Sequence, residues 1–204
     1  MRCYLCVMLL AFCAACSVGP TNTDAPALYD LGAPRSYVSG QTRIAASLLV
    51  HNFVAPAWLD TQGIVYRLGY QDPARQQIYA GSRWVAPPAV LLTQRLRGRL
   101  AAASDGGVIG VADSARADYA LRVELEDFSQ LFDTAAGSRA VLVARVSMVS
   151  VARRALLAQE SFFIERPAAT PNAQGGAHAL AAAADELIEA ITTWSAAQAA
   201  KARK

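Results

Sequence analysis

Alternating apolar and polar positions in the second half of the chain predict three consecutive strands. From Asp118 to Phe128, positions 122, 124 and 126 are charged and the odd positions from 119 to 125 are apolar, which indicates a strand with one face in water. Arg139 to Val151 is apolar on both faces, and Leu156 to Glu165 follows after a short turn. We expect an antiparallel meander, with a loop at Asp133–Ser138 between its first two strands.

The first half of the chain contains shorter runs typical of strands. The longest, Arg43 to Val54, is apolar on both faces and predicts a central strand that Pro56 ends. Two other runs are separated by Gln71-Asp72-Pro73, which predicts a hairpin. The predicted short strands are Leu28–Leu31, Ile64–Tyr70, Gln77–Ala80 and Val108–Val111.

Two stretches have the fourfold spacing of amphipathic helices. After Pro87-Pro88, the first runs to about Ala103, with its leucines on one side and three arginines on the other: Leu92, Leu96 and Leu100 against Arg95, Arg97 and Arg99. After a loop at Pro167–Gly176, the second runs from about Ala177 to Ala199, with a stripe of Leu180, Ala184, Leu187, Ile188, Ile191 and Trp194. The fold predicted is α+β: a mixed, largely antiparallel sheet covered by two amphipathic helices.

The N-terminus reads as an export signal. Met1 and Arg2 are followed by an uncharged run from Tyr4 to Ala15. Twelve residues rise only about 18 Å as a helix, well short of the roughly 30 Å hydrocarbon core of a bilayer. We therefore expect a cleaved signal peptide over residues 1–15.

The end of this segment resembles a bacterial lipobox, with Cys16 as the lipid acceptor and new N-terminus. Ala14 and Ala15 are the small residues expected before it, although Cys13 stands where Leu, Val or Ile is usual. Cys13 itself is the rival acceptor, but bulky Phe12 precedes it. An ordinary secretory signal cut after Ala15 is the other alternative.

Cysteine usage fits a lipoprotein. All four cysteines, Cys3, Cys6, Cys13 and Cys16, lie within the first sixteen residues, so the processed chain can form no internal disulfide. Two or three acyl chains, palmitate among them, would hold it on a membrane, since each buried methylene contributes about 0.8 kcal/mol. Ser17 stands where an inner-membrane retention signal usually has Asp, which favours the outer membrane. Residues 16–27 are predicted to be a flexible tether, and residues 28–204 a single domain.

Charge and composition exclude several function classes. Loss of Arg2 with the signal leaves 18 basic against 16 acidic residues, which argues against nucleic-acid binding. The basic tail Lys201–Lys204 could contact anionic headgroups, although a frayed terminus is the default.

Chemistry-bearing motifs are sparse. His51, within a predicted strand, has no accompanying Ser- or Cys-centred motif, and His178 begins the second helix. Glu124, Glu126 and Asp127 could bind a hard cation, but a solvated face explains them more simply. No phosphate-loop pattern occurs. We expect neither an enzyme, nor a metal site, nor a cofactor.

One cluster stands out from this background. Five aromatic residues with polar tips fall between positions 58 and 84. Such side chains are common interface anchors, although some must belong to the core. The predicted contact residues for a partner or lipid are Trp58, Tyr66, Tyr70, Tyr79 and Trp84.

In addition to the lipobox, several segments in order resemble one family. They are Tyr29–Gly32, Leu59–Tyr70, Tyr79–Pro88, Ala117–Leu121 and the C-terminal helix ending near Trp194. This combination is similar to the auxiliary lipoprotein component of ABC-type transporters that carry mammalian-cell-entry (MCE) proteins, of the paraquat-inducible PqiC type.

That resemblance implies a periplasm-facing lipoprotein of the outer membrane that helps to move lipids between membranes. Its implied partners are an MCE-domain protein and an inner-membrane permease and ATPase, with a possible homo-oligomer. The alternative is an outer-membrane assembly lipoprotein that handles lipid or lipopolysaccharide without an ABC partner.

Overall fold

The computed structural model describes residues 25–33, 42–110, 113 and 115–203. The predicted signal peptide, Cys16 and most of the tether lie outside these residues. The described part contains eight strands and two helices: β1 Ala27–Tyr29, β2 Leu48–Val50, β3 Gly63–Leu68, β4 Gln76–Trp84, α1 Pro88–Ala103, β5 Val108–Ile109, β6 Tyr119–Thr134, β7 Gly137–Ser150, β8 Ala155–Pro167 and α2 Ala173–Ala202. Neither helix combines the length and apolar character needed to cross a bilayer.

The predicted meander is confirmed, and it forms the largest part of the sheet. Strands β6, β7 and β8 pair antiparallel over nearly their whole lengths. The expected loop at Asp133–Ser138 is wrong, because Thr134 pairs with Gly137 and only two residues form the turn. Gly137 and the polar residues around it belong to paired strand ends.

The free edge of β6 carries two short parallel strands instead of one long one. β2 pairs with Tyr119–Leu121 and β3 pairs with Gln130–Phe132. β5 joins β2 in parallel, and β4 joins β3 antiparallel and β1 in parallel. The sheet is therefore mixed, as predicted, with its long ladders antiparallel.

The predicted central strand Arg43–Val54 is wrong in extent, because only Leu48–Val50 forms a regular ladder. On either side of it, Ile44 and Val54 make isolated bridges. The backbone departs from the sheet so that the Phe53 amide can donate to the Thr93 hydroxyl of α1 at 2.9 Å. Phe53 is buried as a result.

Both helices cover the same face of the sheet. All three predicted leucines of α1 and the whole predicted stripe of α2 are buried. Helix α2 begins four residues before the predicted start, because the Asn172 side chain accepts from the Gly175 amide and caps it. A side chain at Gly175 would meet the Thr170 carbonyl at 2.1 Å, so a glycine typical of a loop is required inside this helix.

The arginines of α1 do not all lie on a solvated side, contrary to expectation. Arg95 pairs with Asp185 of α2 at 2.9 Å, and Arg99 pairs with Glu189 at 2.7 Å. The Arg95 side chain is 7% exposed and also donates to the carbonyl of Leu31 at 2.8 Å. These pairs tie the two parallel helices to each other, and Arg95 ties them to the chain after β1.

We predict that Asp185→Ala will lower the free energy of unfolding by about 3 kcal/mol, because it leaves the buried Arg95 guanidinium without its carboxylate. Urea denaturation monitored by circular dichroism measures this. The control is Glu186→Ala, which breaks the exposed pair with Arg166 and should cost less than about 1 kcal/mol. Equal losses in the two variants would contradict the structural role of the buried pair.

Candidate functional site

The five predicted aromatic residues, which lie in the β3–β4 hairpin or just before it, occupy different environments. β3 and β4 pair antiparallel, with a register irregularity between Gly63 and Val65. A side chain at Gly63 would lie 2.7 Å from Ile78, so glycine permits the close approach of the two strands. Tyr66 and Tyr79 contact each other, whereas Trp58, Tyr70 and Trp84 lie apart from this pair.

Tyr66 and Tyr79 form a stacked pair across the hairpin. Their ring centroids are 4.4 Å apart with an interplanar angle of 30°, and Phe132 of β6 meets the Tyr66 ring edge-on at 5.9 Å. The Tyr66 hydroxyl donates to Gln77 Oε1 at 2.9 Å. Both rings are partly buried, so the pair combines core packing with a polar rim.

The Tyr79 hydroxyl begins a hydrogen-bond chain that runs beneath the helix layer. It donates to Oε1 of Gln130 at 2.9 Å, and Nε2 of Gln130 donates to the Ser138 hydroxyl at 2.7 Å. Gln130 is fully buried, and a side chain at Gly176 would lie 2.0 Å from its Oε1. Burial, and then the neighbouring Tyr66, raises the pKa of Tyr79 to about 12. At neutral pH the phenol is therefore a hydrogen-bond donor.

Gln130 was not among the residues singled out from the sequence. The sequence contains a pattern that predicts its burial, because Phe128, Gln130 and Phe132 share one face at the period of a strand. A buried amide between two buried phenylalanines requires hydrogen-bond partners. Tyr79 and Ser138 supply them.

Trp58 lies at a different place, over Arg67 of β3. The guanidinium carbon of Arg67 is 5.1 Å from the centre of the Trp58 ring, within cation–π range. Arg67 also pairs with Asp127 at 2.6 Å, and Asp127 accepts from the Ser129 hydroxyl at 2.7 Å. Trp58 is half-buried and presents the remainder of its surface next to this polar group.

The most exposed apolar groups of the hairpin are at its tip and along β4. Tyr70 is 44% exposed in the turn after β3, and Ile78 is 55% exposed. β1 pairs only with Ser82–Trp84, so among the described strands the outer edge of β4 from Gln76 to Gly81 has no partner. This stretch offers free backbone donors and acceptors beside apolar side chains.

Trp84 belongs to the core. Its side chain is 1% exposed and lies 5.5 Å, centroid to centroid, from the Phe128 ring. It therefore positions β4 against β6 and presents no surface to a partner. Sequence alone does not separate Trp84 from Trp58, since both lie in the same aromatic-rich segment.

The other candidate groups also have structural partners. His51 lines a cleft with Asn52, Arg122 and Glu124, and no hydroxyl or thiol is among the described residues that line it. Burial, together with the charges of Arg122 and Arg97, lowers the pKa of His51. His178 meets the Tyr29 ring edge-on at 6.5 Å.

The acidic run on β6 forms ion pairs with two arginines. Glu124 and Glu126 pair with Arg145, and Asp127 pairs with Arg67. Within the described residues, no group of three or more His, Cys, Asp or Glu side chains is placed to hold a metal ion.

A family model for the ABC-type transport auxiliary lipoprotein component matches residues 29–192. The chain belongs to this family. The match spans every described element except the start of β1 and the last turns of α2. No curated protein matches the chain.

Solved structures with the same fold share little sequence with this family member. Protein XCC0632 from Xanthomonas campestris superposes with a TM-score of 0.75 at 18% identity, covering 86% of this chain and 98% of its own. The hypothetical protein CT253 from Chlamydia trachomatis gives 0.53 at 7% identity, covering 76% and 98%. These likenesses show a shared fold.

We predict a pH-dependent effect of Tyr79→Phe on stability. Because the pKa is raised from 10.0 to about 12, the phenol stabilises the fold fully below pH 10, and this contribution declines as pH rises toward 12. At pH 7 the variant should lose about 1 kcal/mol with its hydrogen bond to Gln130. Urea unfolding at a series of pH values should show the gap between wild type and variant narrowing above pH 10. A difference in unfolding free energy that stays the same at every pH would contradict the raised pKa of Tyr79.

Proposed function

We propose that this protein is a lipid-anchored auxiliary lipoprotein of an MCE-type ABC lipid transport system, held at the outer membrane and facing the periplasm. The observation that carries the proposal is the family match, which covers nearly the whole described domain. In this role the permease and the ATPase are separate chains. The present chain supplies a folded domain that binds partner proteins or lipid.

The sequence supports lipid anchoring at Cys16. A signal-like segment ends in two alanines before this cysteine, and Ser17 follows it where retention in the inner membrane would favour Asp. Acylation would consume the last thiol of the processed chain. An anchored domain is confined to one membrane surface, where its partners are also concentrated.

A binding role, without catalysis, is supported by how the polar side chains are used. The tyrosine hydroxyls donate to glutamine amides, and the carboxylates of β6 pair with arginines. These groups satisfy one another, whereas a catalytic site requires groups aimed at a substrate.

The contact surface that we propose comprises Trp58, Tyr70 and the outer edge of β4 around Ile78. Half-exposed aromatic residues anchor interfaces, and an open strand edge can pair with an added strand. Tyr66 and Tyr79 support this surface from beneath. Its occupant is either the end of an MCE assembly or a second copy of the chain, and repetition of the second contact would build a ring around the path of the lipid.

We expect Cys16→Ala to move the protein from the membrane fraction into the soluble periplasm, since it removes the acceptor for the acyl chains. Cell fractionation followed by mass spectrometry of the mature N-terminus provides the measurement. The matched control is Cys13→Leu, which removes the rival thiol, supplies the usual lipobox residue before Ala14 and should leave the protein on the membrane. Release by Cys13→Leu alone would transfer the lipid to Cys13, and a free thiol at Cys16 would refute acylation.

We expect Trp58→Ala combined with Tyr70→Ala to weaken binding to the MCE-domain protein or to reduce self-association. These two side chains supply exposed aromatic area to the proposed surface, and truncation of such anchors commonly costs about 2 kcal/mol or more. Pull-down and sedimentation velocity measure the two kinds of contact.

Phe163→Ala is the control for this pair, because Phe163 is exposed on β8, away from the hairpin. Circular dichroism should be unchanged in all variants. If both partner binding and self-association keep their wild-type strength, the aromatic surface is assigned wrongly. A wild-type chain that binds no MCE protein would instead favour an assembly lipoprotein without an ABC partner.

A further inference from the structure

The two ends of the domain differ in charge. We define the basic end as the end where β6 and β8 begin and where β7 and α2 end. The opposite end, the hairpin end, carries the β3–β4 and β6–β7 turns. Six exposed cationic side chains lie at the basic end: Arg43, Arg116, Arg153, Arg154, Lys201 and Arg203.

Contacts place these residues together. The turn with Arg153 and Arg154 joins Ser150 to β8, and Ser150 pairs with Tyr119 at the start of β6. Arg203 donates to the Ala45 carbonyl at 2.9 Å, and with Arg43 it lines a cleft of about 250 Å³ whose remaining walls are alanines. A second cleft, on the other side of the last turn of α2, is lined by Arg153.

The acidic residues at this end already have ion-pair or hydrogen-bond partners within the domain. Asp105 pairs with Arg43, and Asp113 accepts from the Gly110 amide. Asp118 accepts from both the amide and the hydroxyl of Ser47, at 2.7 Å each. Six exposed cations, among them Arg43 with its partner Asp105, are therefore set against three carboxylates that already have partners within the domain, and the described residues of this end carry a surplus of positive charge.

Arg154 adds an independent observation. Its backbone has φ of +52°, in the left-handed region that favours glycine. An arginine at such a position costs conformational free energy, and residues held in this way tend to cluster at functional sites. The turn therefore places a cationic side chain at an exposed end of the domain, at a backbone conformation that glycine would adopt at lower cost.

The direction in which the chain enters β1 bears on the orientation of the basic end. β1 runs parallel to β4, with Ala27 opposite Ser82, so Ala25 and Pro26 enter β1 from the side of the hairpin end. Cys16 precedes Ala25 by nine residues, which reach about 30 Å when extended. An anchor there would draw the hairpin end toward its bilayer and leave the basic end facing away.

We propose that the basic end is a docking surface for a carboxylate-rich face of a partner protein. The inference rests on the proposed function, which identifies that partner as the MCE-domain protein. Arginine forks match carboxylates in bidentate pairs. A surface that enters a membrane needs apolar anchors, and among the described large exposed apolar side chains only Leu156 is close to Arg154 in the chain.

The test measures binding of the mature lipidated chain, held in detergent, to the MCE-domain protein of its transport system by biolayer interferometry. Arg153→Glu with Arg154→Glu should weaken binding on the order of tenfold at low ionic strength and should reduce its salt dependence. Arg166→Glu, which changes an exposed charge at the end of β8 that belongs to neither proposed surface, is the control and should bind as wild type does.

Arg154→Gly separates binding from folding. Removal of the side chain relieves the backbone conformation, so the melting temperature should stay the same or rise while affinity falls. Wild-type affinity in both Arg154 variants would overturn the docking surface and leave the proposed function intact. A wild-type chain that binds no MCE protein would overturn both.

Lipid vesicles test the alternative that the basic end binds an anionic membrane surface. The unacylated Cys16→Ser chain is mixed with vesicles of phosphatidylglycerol or of phosphatidylcholine. Absence of binding agrees with a protein partner. Charge-dependent binding to phosphatidylglycerol alone, lost on reversal of Arg153 and Arg154, would assign the basic end to an anionic membrane surface and overturn the proposal.

Discussion

A single long strand, β6, is the element on which the rest of the domain depends. Its sixteen residues pair with β7 along one edge, and the other edge supports β2 at one end and β3 at the other. The strand has a register irregularity after Leu125. Its buried face is apolar before this point and includes buried Gln130 after it. The hairpin, the helix layer and the tyrosine network are all positioned relative to this strand.

The sequence pattern predicted those elements whose side chains alternate or recur without interruption. The meander and both helices were found because burial of one face dictates period two or period four. The prediction was wrong where a single side chain decides the backbone. Thr93 draws Phe53 out of the expected strand, and Asn172 starts α2 before two glycines that read as a loop.

The candidate site shows the same limit at the level of side chains. Clustering of aromatic residues predicted a contact segment, but it did not separate buried Trp84 from exposed Tyr70. Trp84 is covered because β4 lies between β1 and β3 at this point, whereas Tyr70 lies in the turn after β3. Likewise, Arg95 and Arg99 were expected in water, and only the approach of α2 supplies the carboxylates that allow their burial.

Two kinds of surface coexist on this domain without competing for space. The aromatic residues and the open edge of β4 lie along the hairpin, whereas the cations collect where β6 begins and α2 ends. Apolar contact and strand addition are short-ranged and fix a neighbour in register. Charge acts over about 8 Å at physiological salt and steers an approaching partner. In the proposed arrangement, with a second copy at the hairpin and an MCE-domain protein at the basic end, this separation lets each contact be strengthened without altering the other.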